Sequence, residues 1–170
     1  MKNEELAKQA DQTLTELIEL VEAIPTEKFN TVPFKDSWTA GQLTQHMVMS
    51  NSGFADLLNG QVKDTERVPD AAVEGIESAF LNFDIKMQSP DFIRPEKKNY
   101  DKNGLLAALS GIKADIITSA ATLDLSKTCL SFELPVIGYV TRLEAVSFVI
   151  CHTKRHIHQL KNIYTKLIMN

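Results

Sequence analysis

Cys151-His152-Thr153-Lys154-Arg155-His156-Ile157-His158-Gln159 lies within a long C-terminal segment of strong helical character. Residues four apart on a helix sit about one turn apart on the same face, so His152 and His156 form a pair. At about 100° per residue, Gln159 falls near them and His158 points away. Ala145, Phe148, Val149 and Ile163 fall on the same stripe as the pair. Two imidazoles within a core-facing apolar stripe need partners, because burying an unpaired polar group is costly. A metal ion would partner both, with a third ligand supplied by another element. The competing reading is a pair of ordinary core or surface histidines, since this spacing recurs by chance.

Upstream, Thr141-Arg142-Leu143-Glu144 is a capping box of the Ser/Thr-x-x-Glu type, from which the helix is expected to run to about Ile168. Residues 105–123 form another helix, with Leu105, Leu109, Ile112, Ile116 and Ala120 as its stripe and Asp101 or Asn103 as its cap. Residues 130–139 connect the two, with Pro135 and Gly138 breaking regular structure. Near the N-terminus, Leu6, Ala10, Leu14, Leu17, Val21 and Ile24 recur at three or four and predict a helix over 4–24, stopped by Pro25. A further helix starts at Thr39-Ala40-Gly41-Gln42, again with capping-box spacing, and runs to Asn59 before Gly60. Its expected inner stripe is Thr39, Leu43, His46, Met49, Ser50, Gly53 and Leu57, so a histidine sits mid-stripe here too. Residues 61–100 are the least regular. A short helix fits 73–87, through Ile76, Phe80, Phe83 and Met87, and residues 91–100 read as a crossing loop. Four long helices with long connections predict an all-α four-helix bundle, a single domain over residues 1–170.

Composition narrows the function classes. Hydrophobic residues make up 44% and charged residues 24% of the 170, the balance of a soluble globular protein. The net charge of -4 gives no basic footprint for nucleic acid. Two cysteines, Cys129 and Cys151, do not make a disulfide framework and fit a reducing cytosol. The start, Met1-Lys2-Asn3-Glu4-Glu5-Leu6, is polar, and no run of about 18 apolar residues is evident, so the expectation is a cytoplasmic protein that does not span a membrane.

His46, His152 and His156 are the candidate site. Three imidazole ligands leave coordination positions open, as in a catalytic rather than a closed structural centre. Nitrogen donors suit Zn, Ni, Fe or Cu. Gln159 is either a hydrogen-bond partner that orients a ligand imidazole or the polar end of the stripe. Cys151 reads as a buried, inert thiol, and Trp38 as a packing anchor at the start of its helix. Asp56, Glu133 and Glu144 are possible acid/base groups that no spacing singles out. There is no phosphate-binding glycine loop, no nucleophile elbow and no His-Glu-x-x-His; His152-Thr153-Lys154-Arg155-His156 lacks the glutamate.

Trp38-Thr39-Ala40-Gly41-Gln42-Leu43-Thr44-Gln45-His46 resembles the tryptophan-to-histidine segment of the DinB-like superfamily, and His152-x-x-x-His156-x-x-Gln159-Leu160 resembles its C-terminal signature. The resemblance extends over essentially the whole chain in helix order and motif placement. It implies an up-up-down-down four-helix bundle with a long crossing connection between the second and third helices. It also implies a divalent metal on His46, His152 and His156, Zn or Ni foremost, with Fe or Mn as alternatives. Homodimers are common among its members. Some are transferases that use a low-molecular-weight thiol, and others resemble hydrolases or isomerases. The expectation is therefore a metal-dependent transferase or hydrolase acting on a small molecule. The alternative is a non-catalytic stress-response binding module whose metal site is structural or vacant.

Overall fold

Helix 1 follows directly from its leucine period. The computed structural model describes residues 3–169, so Met1 and Lys2 of the polar start lie outside the described residues. α1 (Asn3–Ala23) buries Leu6, Ala10, Leu14, Leu17 and Val21, with Ile24 buried just past its end. After Pro25 a 3-10 turn over Thr26–Lys28 leads to the fully buried Phe29.

α2 (Ala40–Asn59) starts at the expected capping box. Thr39 Oγ1 accepts from the Gln42 N–H and Gln42 Oε1 accepts from the Thr39 N–H, both at 3.0 Å. Thr39, Leu43, His46 and Leu57 of the expected inner stripe of α2 are buried, but the stripe does not continue through Met49, Ser50 and Gly53. Ala40, Leu43, Met47, Asn51, Phe54 and Leu58 are buried, whereas Met49, Ser50 and Gly53 look into a cavity. Two stripes can be drawn through Leu43, and His46 stands on their border.

The crossing segment holds β1 (Val62–Lys63), α3 (Val73–Phe80) and a 3-10 turn over Asp91–Ile93. α3 stops at Phe80 rather than Met87. Asn82 Oδ1 accepts from the Asp84 N–H in a local turn. Arg155 then takes the carbonyls of Phe80, Asn82 and Ile85. These carbonyls are thereby satisfied without a helix.

α4 (Lys102–Thr122) is capped by Asp101, whose Oδ2 accepts from the Gly104 N–H, and it buries Leu105, Leu109, Ile116 and Ala120 as expected. α4 is long and apolar enough to cross a membrane by length and composition alone. Here it is a bundle helix packed on α1 and α2. Cys129 lies in β2 (Thr128–Cys129), which pairs antiparallel with β1. α5 (Arg142–Met169) carries the second capping box: Thr141 Oγ1 accepts from the Glu144 N–H, and Glu144 Oε2 from the Thr141 N–H.

α1, α2, α4 and α5 form the four-helix bundle, with α1 and α2 each packed against both α4 and α5. Their directions differ from up-up-down-down. Asn3 donates to the Leu123 carbonyl and Lys102 to that of Ile24, so α4 runs antiparallel to α1. The Phe29 carbonyl accepts from the Gly41 N–H, so α2 starts where α1 ends. Arg142 donates to the Leu58 carbonyl, so α5 starts where α2 ends. The order is up-down-down-up. Only one connection crosses the length of the bundle, the expected long one between α2 and α4. The α1–α2 connection stays at one end, spent on its 3-10 turn and on seating Phe29. The core divides into two apolar clusters along the axis.

Candidate metal centre

His46 on α2 and His152 and His156 on α5 meet across the helix pair. Their Nε2 atoms form a triangle with sides of 3.4 Å (His46–His152), 3.1 Å (His46–His156) and 3.1 Å (His152–His156). All three rings are nearly buried, at 1%, 7% and 9% exposure. The three histidines predicted from sequence are thus brought together from positions 106 residues apart.

The outer nitrogens fix the proton positions. His46 Nδ1 lies 2.9 Å from the Ile93 carbonyl, which can only accept, so Nδ1 carries the hydrogen and Nε2 presents a lone pair. His156 Nδ1 lies 2.9 Å from Gln159 Oε1, and the same logic applies. Two lone pairs therefore face each other at 3.1 Å, which no hydrogen bond between those two rings can resolve. His152 Nδ1 is buried without a protein partner. A cation fits this set. Nitrogens at about 2.0–2.1 Å from a tetrahedral ion stand about 3.3 Å apart, and the observed sides bracket that separation.

Electrostatics point the same way. Burial, opposed by the Ile93 hydrogen bond, lowers the His46 pKa. Burial, then the charges of His156 and His46, drives His152 well below the imidazole range. Burial pushes His156 down to about 3, against the Gln159 hydrogen bond. All three are neutral at pH 7, the form that binds metal. Among the described residues the cluster contains no carboxylate.

Aromatic rings hold the imidazoles in place. Trp38 tilts against His46 at 5.2 Å, Phe148 stacks on His152 at 5.4 Å and 15°, and Phe80 meets His152 edge-on at 5.8 Å. The cluster lies in the wall of a cavity of about 1310 Å³ between the α2–α5 edge and the crossing segment. Seven of the eight phenylalanines line it: Phe34, Phe54, Phe80, Phe83, Phe92, Phe132 and Phe148.

The other sequence candidates separate cleanly. Gln159 is the hydrogen-bond partner of His156, not merely the polar end of a stripe. His158 is exposed and stacks on Phe83 at 4.3 Å. Cys151 is buried, and burial raises its thiol to about 11, so it stays protonated. Asp56 lines the cavity at a distance from the rings along α2. Glu133 is exposed. Glu144 is fully buried and committed to Arg67, the Ala72 N–H and its own cap. Two features escaped the sequence. The Ile93 carbonyl is a backbone atom of an irregular segment and carries no residue-type signal. The phenylalanine wall is scattered over five stretches, each of which reads locally as core or loop.

Comparison with curated proteins finds no sequence match. Among solved structures the fold is similar to YfiT from Bacillus subtilis, described as "a probable metal-dependent hydrolase with an unusual four-helix bundle topology". The TM-score is 0.59 at 16% identity, covering 95% of this chain and 85% of that one. At that identity the likeness establishes the fold. The model of the DinB superfamily matches residues 9–160, a span that includes the three histidines and Gln159. With most of its length matched, the chain belongs to the DinB superfamily.

Proposed function

We propose that the protein is a metal-dependent enzyme in which His46, His152 and His156 hold one divalent ion, Zn or Ni foremost, and that it acts on a small molecule by hydrolysis or thiol transfer. The observation that carries this is the convergence of the His46 and His156 Nε2 lone pairs at 3.1 Å, each fixed by a hydrogen bond on the far nitrogen. When bound, such an ion acts as a Lewis acid that makes a water or thiol acidic enough to serve as a nucleophile near neutral pH. This chain's part is to hold three neutral imidazoles together, two of them in a set tautomer, and to keep their surroundings dry. Ile93 and Gln159 set the tautomers, and Trp38, Phe80 and Phe148 exclude solvent from the rings. The description of YfiT as "a probable metal-dependent hydrolase" supports the same reading. A low-molecular-weight thiol as co-substrate, a cytoplasmic setting and a homodimer belong to this proposal.

The test is a turnover screen of the tag-free, metal-loaded protein. It covers small esters, amides and thiol acceptors, with His152→Ala alongside. Turnover that disappears in the variant is the expected result. A loaded protein that turns over none of them, but loses its melting transition under chelator, assigns the centre to a structural clip between α2 and α5.

A further inference from the structure

The cavity continues well past the histidines. Below His46, the residues Met49, Ser50, Gly53, Phe54 and Leu57 follow on the cavity side of α2. At about 1.5 Å per residue, His46 to Leu57 marks an arm about 16 Å long. Its wall is a continuous aromatic stack. Phe54 and Phe148 lie at 5.4 Å and 20°, Phe80 meets Phe148 edge-on at 5.0 Å, and Phe148 stacks on His152. Gly53, also on α2 and exposed, leaves space beside the wall, since a Cβ built there would meet nothing within 4 Å. Phe132 and Leu134 also line the cavity, with Phe132 edge-on to Phe92 at 6.3 Å.

The arm offers little to a polar ligand. The Ser50 hydroxyl already donates to the Met47 carbonyl. A sugar or nucleotide placed there would leave its own hydrogen-bonding groups unpaired. The charges at the two ends differ. Asp56 is the carboxylate beside the far end and disfavours an anion there. At the near end, three neutral imidazoles would leave the charge of a divalent ion uncompensated, which favours an anionic group beside them. Lys86 adds positive charge on the crossing segment; Arg94 is paired with Asp91 at 3.0 Å, and the carboxylate of Asp36, close in sequence to Trp38, also lines the cavity. The cavity as a whole exceeds the usual range of about 300–1000 Å³ for small-molecule sites, so it has room for more than a reactive head group.

We propose that this arm binds the unbranched alkyl or arylalkyl tail of an amphiphilic substrate whose anionic head lies at the three histidines. The placement of the head rests on the metal-enzyme reading above; the tail site does not.

The experiment is calorimetric titration with two homologous series. Alkyl hydroxamates from acetohydroxamate to decanohydroxamate are titrated into the metal-loaded protein. The fatty acids from acetate to decanoate are titrated into the chelator-treated protein. Burial of each methylene predicts an affinity gain of roughly fourfold per carbon until the arm is full. In Gly53→Trp the indole occupies the arm, and the longest members bind no tighter than the shortest. Gly53→Leu is a second, smaller plug. Both remove a glycine from a helix interior and so favour folding, which thermal melts of the two variants verify. A chain-length dependence in both series that the plugs abolish supports the proposal. A dependence seen only with the fatty acids, with no hydroxamate binding to the loaded protein, supports the tail site and removes the metal-held head. A flat response in the unmodified protein, or a dependence that survives both plugs, overturns the proposal.

Discussion

The hydrogen on Nδ1 of His46 and of His156 is what turns three buried rings into a site. Gln159 is the more readily altered of the two acceptors. Gln159→Leu removes the acceptor while keeping a good helix former. It is expected to weaken metal affinity about 10- to 100-fold with the helix intact, measured by competition with a chromophoric chelator. Unchanged affinity would place Gln159 outside the centre. The lowered histidine pKa values give the metal-free protein a defined pH response. In the unfolded chain each imidazole titrates near 6.5, and in the folded chain below it, with His156 at about 3. Between those values the unfolded state binds more protons, so stability is complete above about 6.5 and falls as pH drops toward about 3. His156 alone contributes a slope of at most about 1.4 kcal/mol per pH unit across that window. Urea melts of stripped protein at several pH values read this slope, and His156→Leu is expected to flatten it. The three histidines were legible in sequence because histidine is rare here and histidines stand mid-stripe on two helices. The Ile93 acceptor was not legible, because any residue type can present a carbonyl.

At the scale of the element, local rules held where side chains act on their own backbone and failed where distant groups intervened. Both capping boxes formed as read, as did the apolar stripes of α1 and α4. α3 ended early because Arg155, 75 residues away, takes the Phe80 carbonyl, a pairing no local period reveals. Arg155→Met is therefore expected to loosen residues 80–88 selectively, seen as faster amide exchange there with the bundle helices unchanged. Glu144 joins three segments at once: its own cap, the Ala72 N–H that starts α3, and Arg67. Glu144→Ala should cost about 2–3 kcal/mol in denaturant melts, the combined loss of a cap and charge-assisted bonds. Thr153 sits on α5 fully buried, with its hydroxyl lacking a protein partner. Thr153→Val keeps the shape and removes that hydroxyl, so it should stabilise by about 1 kcal/mol. A destabilised Thr153→Val protein would show that the hydroxyl is satisfied in solution.

Across the whole molecule, one long crossing connection sets both topology and site. Because residues 61–100 return the chain to the end where α2 began, α2 and α4 run parallel and the order becomes up-down-down-up. The segment passes over the α2–α5 edge, where it supplies the Ile93 carbonyl, packs α3 on α5 and walls the cavity with Phe80, Phe83 and Phe92. The sequence marked this segment as long and crossing. It did not mark which helix edge the segment covers, since that depends on packing contacts made across 40 residues of weak local preference. Whether the three histidines hold an ion is read directly by elemental analysis of tag-free protein, reloaded with Zn or Ni and desalted. A three-histidine centre predicts about one equivalent per chain in the unmodified protein and under about a tenth in His152→Ala. Less than a tenth in both proteins, or the same content in both, would contradict it.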